Sequence, residues 1–261
     1  MTTISASSTI GIVLSSPSYT NPVVINPGVT ISNSVYPELA VSASTGAWTI
    51  ENNGSIAGAQ GAGIYLGGSG GLITNAASAS ISGFEAVAIA NGIGTVVNYG
   101  SIAGYSSPGG EGVVSGTGGS VTNQSGATIS GYYGVLLADG GAVTNAASAS
   151  ITGVYVGVAI SGGAGTVVNY GHIAGTGSGG DGVILRSGGS ITNAAAASIT
   201  GEAFGVDGVG FVEVDAARDA ADEVIRVRVF AAEDGVDFYD FFLPFKGFEV
   251  VGDGDEVLLG A

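Results

Sequence analysis

The phrase Ile73-Thr74-Asn75-Ala76-Ala77-Ser78-Ala79-Ser80-Ile81-Ser82-Gly83 returns almost unchanged over residues 143–153 and again over 191–201. Between these copies, Gly94-Thr95-Val96-Val97-Asn98-Tyr99-Gly100 returns over residues 165–171. Aligned on asparagine, the two phrases are variants of one unit. The asparagines stand at Asn52, Asn75, Asn98, Asn123, Asn145, Asn169 and Asn193, in steps of 23, 23, 25, 22, 24 and 24 residues. A fixed period of this size is the signature of a solenoid, in which each repeat buries its apolar face only by stacking on its neighbours. Spacings of 70 or 71 residues, as from Asn75 to Asn145 and from Asn98 to Asn169, indicate that three coils duplicated together.

From about Trp48 the register is strict. An aliphatic stands two residues before each asparagine, from Ile50 to Ile191. Another follows it by four or six residues, from Ile56 to Ile199, and a glycine comes two residues later. A third series runs through Ile64, Val87, Val113, Val135, Val158, Val183 and Val206. Five of these have an aliphatic partner two residues on, the spacing of a strand with one face inward. Three short strands per unit, separated by glycine-rich turns, predict an all-β single-stranded parallel β-helix. Seven to eight coils of about 22–26 residues, stacked at roughly 4.8 Å, give a rod on the order of 35 Å long.

The ends differ from the middle. Residues 1–47 read as an amino-terminal cap with one degenerate coil around residues 24–31, and residues 48–210 as the regular solenoid. Past residue 210 the rhythm stops: eight of the nine phenylalanines lie beyond residue 200, with fifteen of the 21 acids. Residues 211–261 are therefore expected to be a distinct β-rich module that caps the last coil, joins copies or addresses the chain for export.

Charge excludes several partners. The net charge is −16, and Arg186 is the one basic residue before Arg218 apart from His172. Nucleic acid and anionic lipid need a basic footprint, which is missing. No segment approaches the roughly 18 apolar residues of a membrane span, so insertion is not expected. Residues 1–14 carry neither a basic stretch nor a long apolar run, so a Sec route is not expected either. Without cysteine there is no disulfide framework and no thiolate metal site.

Five groups of residues are candidates for a role beyond the scaffold. The asparagine series falls by parity on the inside of a corner, where stacked amides satisfy one another and the turn backbone. Residues Ser80 and Ser82, Thr128 and Ser130, Ser150 and Thr152, and Ser198 and Thr200 form an outward face of small hydroxyls, the kind of surface on which ice-binding solenoids order water. His172 interrupts that face, with Asp181 and Arg186 following it, but no nucleophile is placed beside it. The acids Glu38, Glu51, Glu85, Glu111, Asp139 and Asp181 are expected to be spread over different coils and turns. Glu111 and Asp181 occupy matching turns three coils apart, on the order of 14 Å, too far for the paired carboxylates of a glycosidase. Asp234, Asp237, Asp253 and Asp255 are the calcium candidates, although at most one poor copy of the Gly-Gly-x-Gly-x-Asp repeat is present. No catalytic residue and no cofactor are expected.

The units Thr95-Val96-Val97-Asn98-Tyr99-Gly100-Ser101-Ile102-Ala103-Gly104 and Ile73 to Gly83 resemble repeats of bacterial surface and secreted proteins with a pectin-lyase-like β-helix, including autotransporter passengers and filamentous adhesins. The resemblance covers about residues 20–210 and implies a right-handed helix. It is specific for the fold rather than for function, because such rods serve adhesion, matrix, shielding and enzymology alike. The acidic, aromatic-rich end departs from autotransporters and resembles a type I secretion signal. The expectation is a non-enzymatic, extracellular structural or adhesive rod, exported by a non-Sec route. Its expected partners are further copies, met through coil ends or residues 211–261, and host or matrix glycans. A polysaccharide-binding or polysaccharide-degrading β-helix and an ice-binding solenoid are the alternatives.

Overall fold

The computed structural model describes residues 1–34 and 39–209, together with the backbone of Val212–Ala216, Val227–Phe230, Val250–Asp253 and Glu256–Leu259. All regular elements among the described residues are β-strands, and none is a helix. The strands stack in parallel as a β-solenoid of about 9 turns.

Each regular coil supplies three strands, as in Gly94–Asn98, Ser101–Ala103 and Val113–Ser115. First strands pair only with first strands, which makes a ten-stranded parallel sheet running from Thr2–Ile4 to Val212–Ala216. Second and third strands share a sixteen-stranded sheet. They are joined there because Thr128–Leu137 and Ser150–Ile160 each run through both positions without a break.

Pairing puts like on like. Val96 lies opposite Ile73 and Val121, and Asn98 opposite Asn75 and Asn123. Ile81 lies between Ile56 and Ile102, and Val87 between Ile64 and Val113. These aliphatics are buried in one continuous core that runs from Leu14 to Val206. Burying each such side chain contributes about 1.5–3 kcal/mol, and the sum holds only while the next coil covers it.

The asparagine corner explains why the second aliphatic follows at two different distances. In the short form, Asn98-Tyr99-Gly100, the glycine amide donates to Asn98 Oδ1 at 3.1 Å. A Cβ at Gly100 would sit against the carbonyl oxygens of Ala76 and Ala79 in the previous coil, so the short form requires glycine. The longer form, residues 75–80, closes instead through Ala79 N–H donating to Ala76 O at 2.9 Å.

The solenoid begins earlier than the repeat shows. Thr2–Ile4 pairs in parallel with Val23–Ile25, and Ile12–Val13 with Val41–Ala43. Residues 1–22 therefore contribute a coil of their own, which raises the count above the seven or eight expected. Its sequence hides it because position 4, in register with Ile25 and through it with Asn52, is isoleucine rather than asparagine. Parallel pairing also runs past residue 210: Val212–Ala216 lies on Gly189–Asn193, and Val227–Phe230 on Phe204–Val209. Val250–Asp253 and Glu256–Leu259 form an antiparallel pair.

Candidate functional site

Six of the seven asparagines are buried, from Asn52 to Asn169; Asn193 is half-buried. Each Nδ2 donates to the Oδ1 of the next coil's asparagine, from Asn52 to Asn75 at 2.8 Å through to Asn169 to Asn193 at 2.8 Å. The same amide also reaches a carbonyl of its own turn and one on the next coil, as Asn123 does with Ala127 O at 3.1 Å and Ser150 O at 3.0 Å. The ladder spends its polar groups internally, which leaves none directed at a ligand.

The hydroxyl face is continuous in register from Thr30 through Ser55, Ser80, Ser101, Thr128, Ser150 and His172 to Ser198. Its members bond along the column: Ser80 to Ser55 at 3.0 Å and Thr128 to Ser101 at 3.3 Å. His172 Nδ1 is hydrogen-bonded to Ser198 Oγ. Asp181 is buried on a different side, at the start of a third strand, where it accepts from Phe204 N–H at 3.1 Å. The structure thus couples His172 to a serine and not to Asp181.

A second cluster, which the repeat did not point to, lies at the corner between second and third strands. Four consecutive coils each place an aromatic ring there: Phe84, Tyr105, the pair Tyr132 and Tyr133, and Tyr155. Phe84 and Tyr105 meet edge to face with centroids 5.9 Å apart. Tyr132 stacks on Tyr155 at 5.4 Å and 14°, while Tyr133 stands edge-on to both. The cause is a register shift between Gly131 and Tyr133, where two residues, Val154 and Tyr155, oppose one, Tyr132. Such a bulge re-aims the extra side chain, here over the ring on the coil before it.

Tyr133 and Tyr155 rest on an apolar row outside the main core. The outward residues of successive third strands are Tyr65, Ala88, Val114, Leu136, Ala159 and Ile184, all in register. Val156, Ala159 and Ile184 form a separate buried cluster, and Tyr133, Leu136 and Tyr155 pack against it. Apolar residues on both faces of the third strand were the available sequence signal.

The corner also brings two acids together. Glu85 and Glu111 lie on adjacent coils, where Ala86 N–H donates to Glu111 O at 2.8 Å. Burial holds the Glu85 carboxyl above the usual carboxylate range. Burial raises Glu111 as well, the Glu85 charge adds to this, and a backbone hydrogen bond opposes it. Tyr133 is pushed up by burial and by Tyr155, and is drawn back by Arg186. Glu85 and Glu111 do fall on different coils and turns, and stacking in register sets these residues, 26 positions apart in the sequence, on neighbouring coils. Glu111 and Asp181 do remain on separate coils.

Among the described residues no group of three or more His, Cys, Asp or Glu side chains is arranged to hold a metal ion. Glu38, Asp234, Asp237 and Asp255 lie outside the described residues, and Asp253 is described only as the last backbone position of its strand. No helix among the described residues is long and apolar enough to cross a membrane. No protein-family model, curated protein or solved structure matches the chain.

Proposed function

We propose that this chain is a non-enzymatic structural and adhesive rod, displayed or assembled outside a bacterial cell. The observation that carries the reading is the unbroken, in-register parallel stack. Ten first strands pair without interruption, and among the described residues Thr2–Ile4 pairs with Val23–Ile25 alone. A strand paired on one side is a template for another chain. Met1, Ile10 and Val13 are exposed apolar residues in the same terminal coil, which favours its burial against a further coil. The repeat resemblance supports export, and a type I-like route through residues 211–261 remains part of the proposal.

Electron microscopy of the purified chain over a concentration series, with and without calcium, tests it. Filaments with an axial repeat near one rod length are expected. Uniform short rods at every concentration would remove end-to-end assembly and leave display alone.

A further inference from the structure

We infer that Tyr132 and Tyr155 form a site of oxidative coupling, at which hydrogen peroxide joins the two rings into a dityrosine that ties neighbouring coils covalently. The inference rests on the structural part of the function proposed above and adds a modification to it. A rod outside a cell meets peroxide, and a chain without cysteine has no disulfide to tie its coils.

The two rings are already placed for the reaction. Tyr132 stands on the strand Thr128–Leu137 and Tyr155 on Ser150–Ile160, which pair in parallel on adjacent coils. Their centroids are 5.4 Å apart and their planes 14° from parallel, an offset stack in which the rings cover one another's faces. A phenoxyl radical carries its unpaired electron in the π system, with much of it on the Cε carbons beside the phenol oxygen. Two such radicals therefore couple through facing rings. Tyr133 stands edge-on to both, at 76° and 87°, and lacks that overlap. The bulge opposite Tyr132 and the buried cluster of Val156, Ala159 and Ile184 hold Tyr155 in place before any oxidant arrives. Tyr132 and Tyr155 are both half-buried, so a small oxidant reaches them while their packing keeps the pair in contact.

Few other side chains compete for the oxidant. The chain has no cysteine, Met1 is its one methionine, and Trp48, its one tryptophan, is buried on a first strand. Tyr99 and Tyr170 are more exposed, but they stand three coils apart, about 14 Å, too far to couple within one chain. Tyr105 meets Phe84, whose ring has no phenol, and its own hydroxyl is bonded to Ala59 O. Contacts between tyrosine rings among the described residues all fall within Tyr132, Tyr133 and Tyr155. In the coupling step each phenol gives up one electron and its proton. The two radicals form one Cε–Cε bond, and the hydrogen on each of those carbons moves to the phenol oxygen, which restores both aromatic rings. The two electrons and two protons released reduce one hydrogen peroxide to two waters.

The test treats the full chain, at high dilution, with hydrogen peroxide and a haem-peptide catalyst small enough to reach half-buried rings. Dityrosine fluorescence is expected in chains that still run as monomers in denaturing electrophoresis. Mass spectrometry of a digest should find the peptide holding Tyr132 joined to the peptide holding Tyr155, lighter by two hydrogens. Tyr132→Phe and Tyr155→Phe each keep the ring packing and should lose this product, whereas Tyr133→Phe should retain it. Dityrosine found only between separate chains, a product unchanged in either of the first two variants, its loss in Tyr133→Phe, or no dityrosine in wild type would overturn the inference. Electron microscopy of the untreated chain separates the two ideas. Filaments of chains that do not couple sink only this inference, and single rods that join Tyr132 to Tyr155 sink only assembly.

Discussion

Asn145 Nδ2 donates to Asn169 Oδ1 at 2.9 Å, and each of the other five bonds in the series points the same way. The amides form one directed chain inside the rod, in which neighbouring dipoles reinforce one another in a dry environment. The chain has defined ends: Ile25 stands opposite Asn52, and Ala216 opposite Asn193. Its energetic weight is therefore concentrated in the middle.

Asn123→Ala is expected to cost about 3 kcal/mol, because it removes the amide bonds to the Ala127 and Ser150 carbonyls, takes the donor from Asn145 Oδ1 and takes the acceptor from Asn98 Nδ2. Asn123→Asp should cost more, since it replaces the donor with a second acceptor facing those same oxygens. Asn193→Ala, at the half-buried end, should cost under about 1.5 kcal/mol. Denaturant midpoints followed by circular dichroism check the order. Equal costs at positions 123 and 193 would show that the ladder is not what these residues contribute.

The glycines of the corner separate by mechanism. Gly100→Ala forces a Cβ onto the Ala76 and Ala79 carbonyls and should break the contact between two coils, losing several kcal/mol as buried apolar columns part. Gly126 has open space around it and a φ of +76°, so Gly126→Ala should cost only the left-handed strain, about 1–2 kcal/mol. Thermal unfolding distinguishes the two. A Gly126 variant as damaged as the Gly100 variant would mean that space is not the deciding factor.

Glu85 and Glu111 make a pH prediction with a definite sign. Both carboxyls are raised in the folded chain, so the fold binds protons more readily than the unfolded chain does, where glutamate titrates near ~4.3. Their favourable contribution is complete below that value and is lost as pH rises through the raised folded values. The double variant Glu85→Gln, Glu111→Gln cannot ionise there. Its melting temperature should match wild type in acid and exceed it increasingly on the way to neutral pH. A gap independent of pH would rule the pair out as the source.

The scaffold was legible because its signals are additive: every coil repeats the same three inward aliphatics and the same asparagine, so the period survives local variation. Residues 1–22 escaped because a terminal coil keeps only the need for apolar residues, met by Ile4, Ile12 and Leu14 without the surrounding phrase. The aromatic corner escaped for a different reason. Phe84 and Tyr105 lie in loops of different lengths and Tyr132 and Tyr155 in the unbroken strands 128–137 and 150–160, so no fixed spacing connects them, and only pairing across coils brings them together. Glu85 and Glu111 were separated in the sequence reading by the same effect.

The boundary of the ladder gives the most specific prediction. Ile25 is fully buried, yet it sits in register with Asn52, and Asn52 Oδ1 already accepts from Gly54 N–H at 3.1 Å on the side facing its own turn. Ile25→Asn places an amide where each of the next seven coils has one, with Asn52 Oδ1 ahead of it and the Val29 and Ser55 carbonyls at the positions equivalent to those the other asparagines bond. The loss of apolar burial is offset by a seventh side-chain bond, and the net cost should stay near or below about 1 kcal/mol. Ile50→Asn, one strand position pair away in the aliphatic column, finds no such partners and should cost about 4 kcal/mol. Denaturant unfolding of the two variants side by side decides it: equal destabilisation would mean that the ladder cannot be extended, and that its start at Asn52 is imposed by the geometry of the terminal coils rather than by the identity of residue 25.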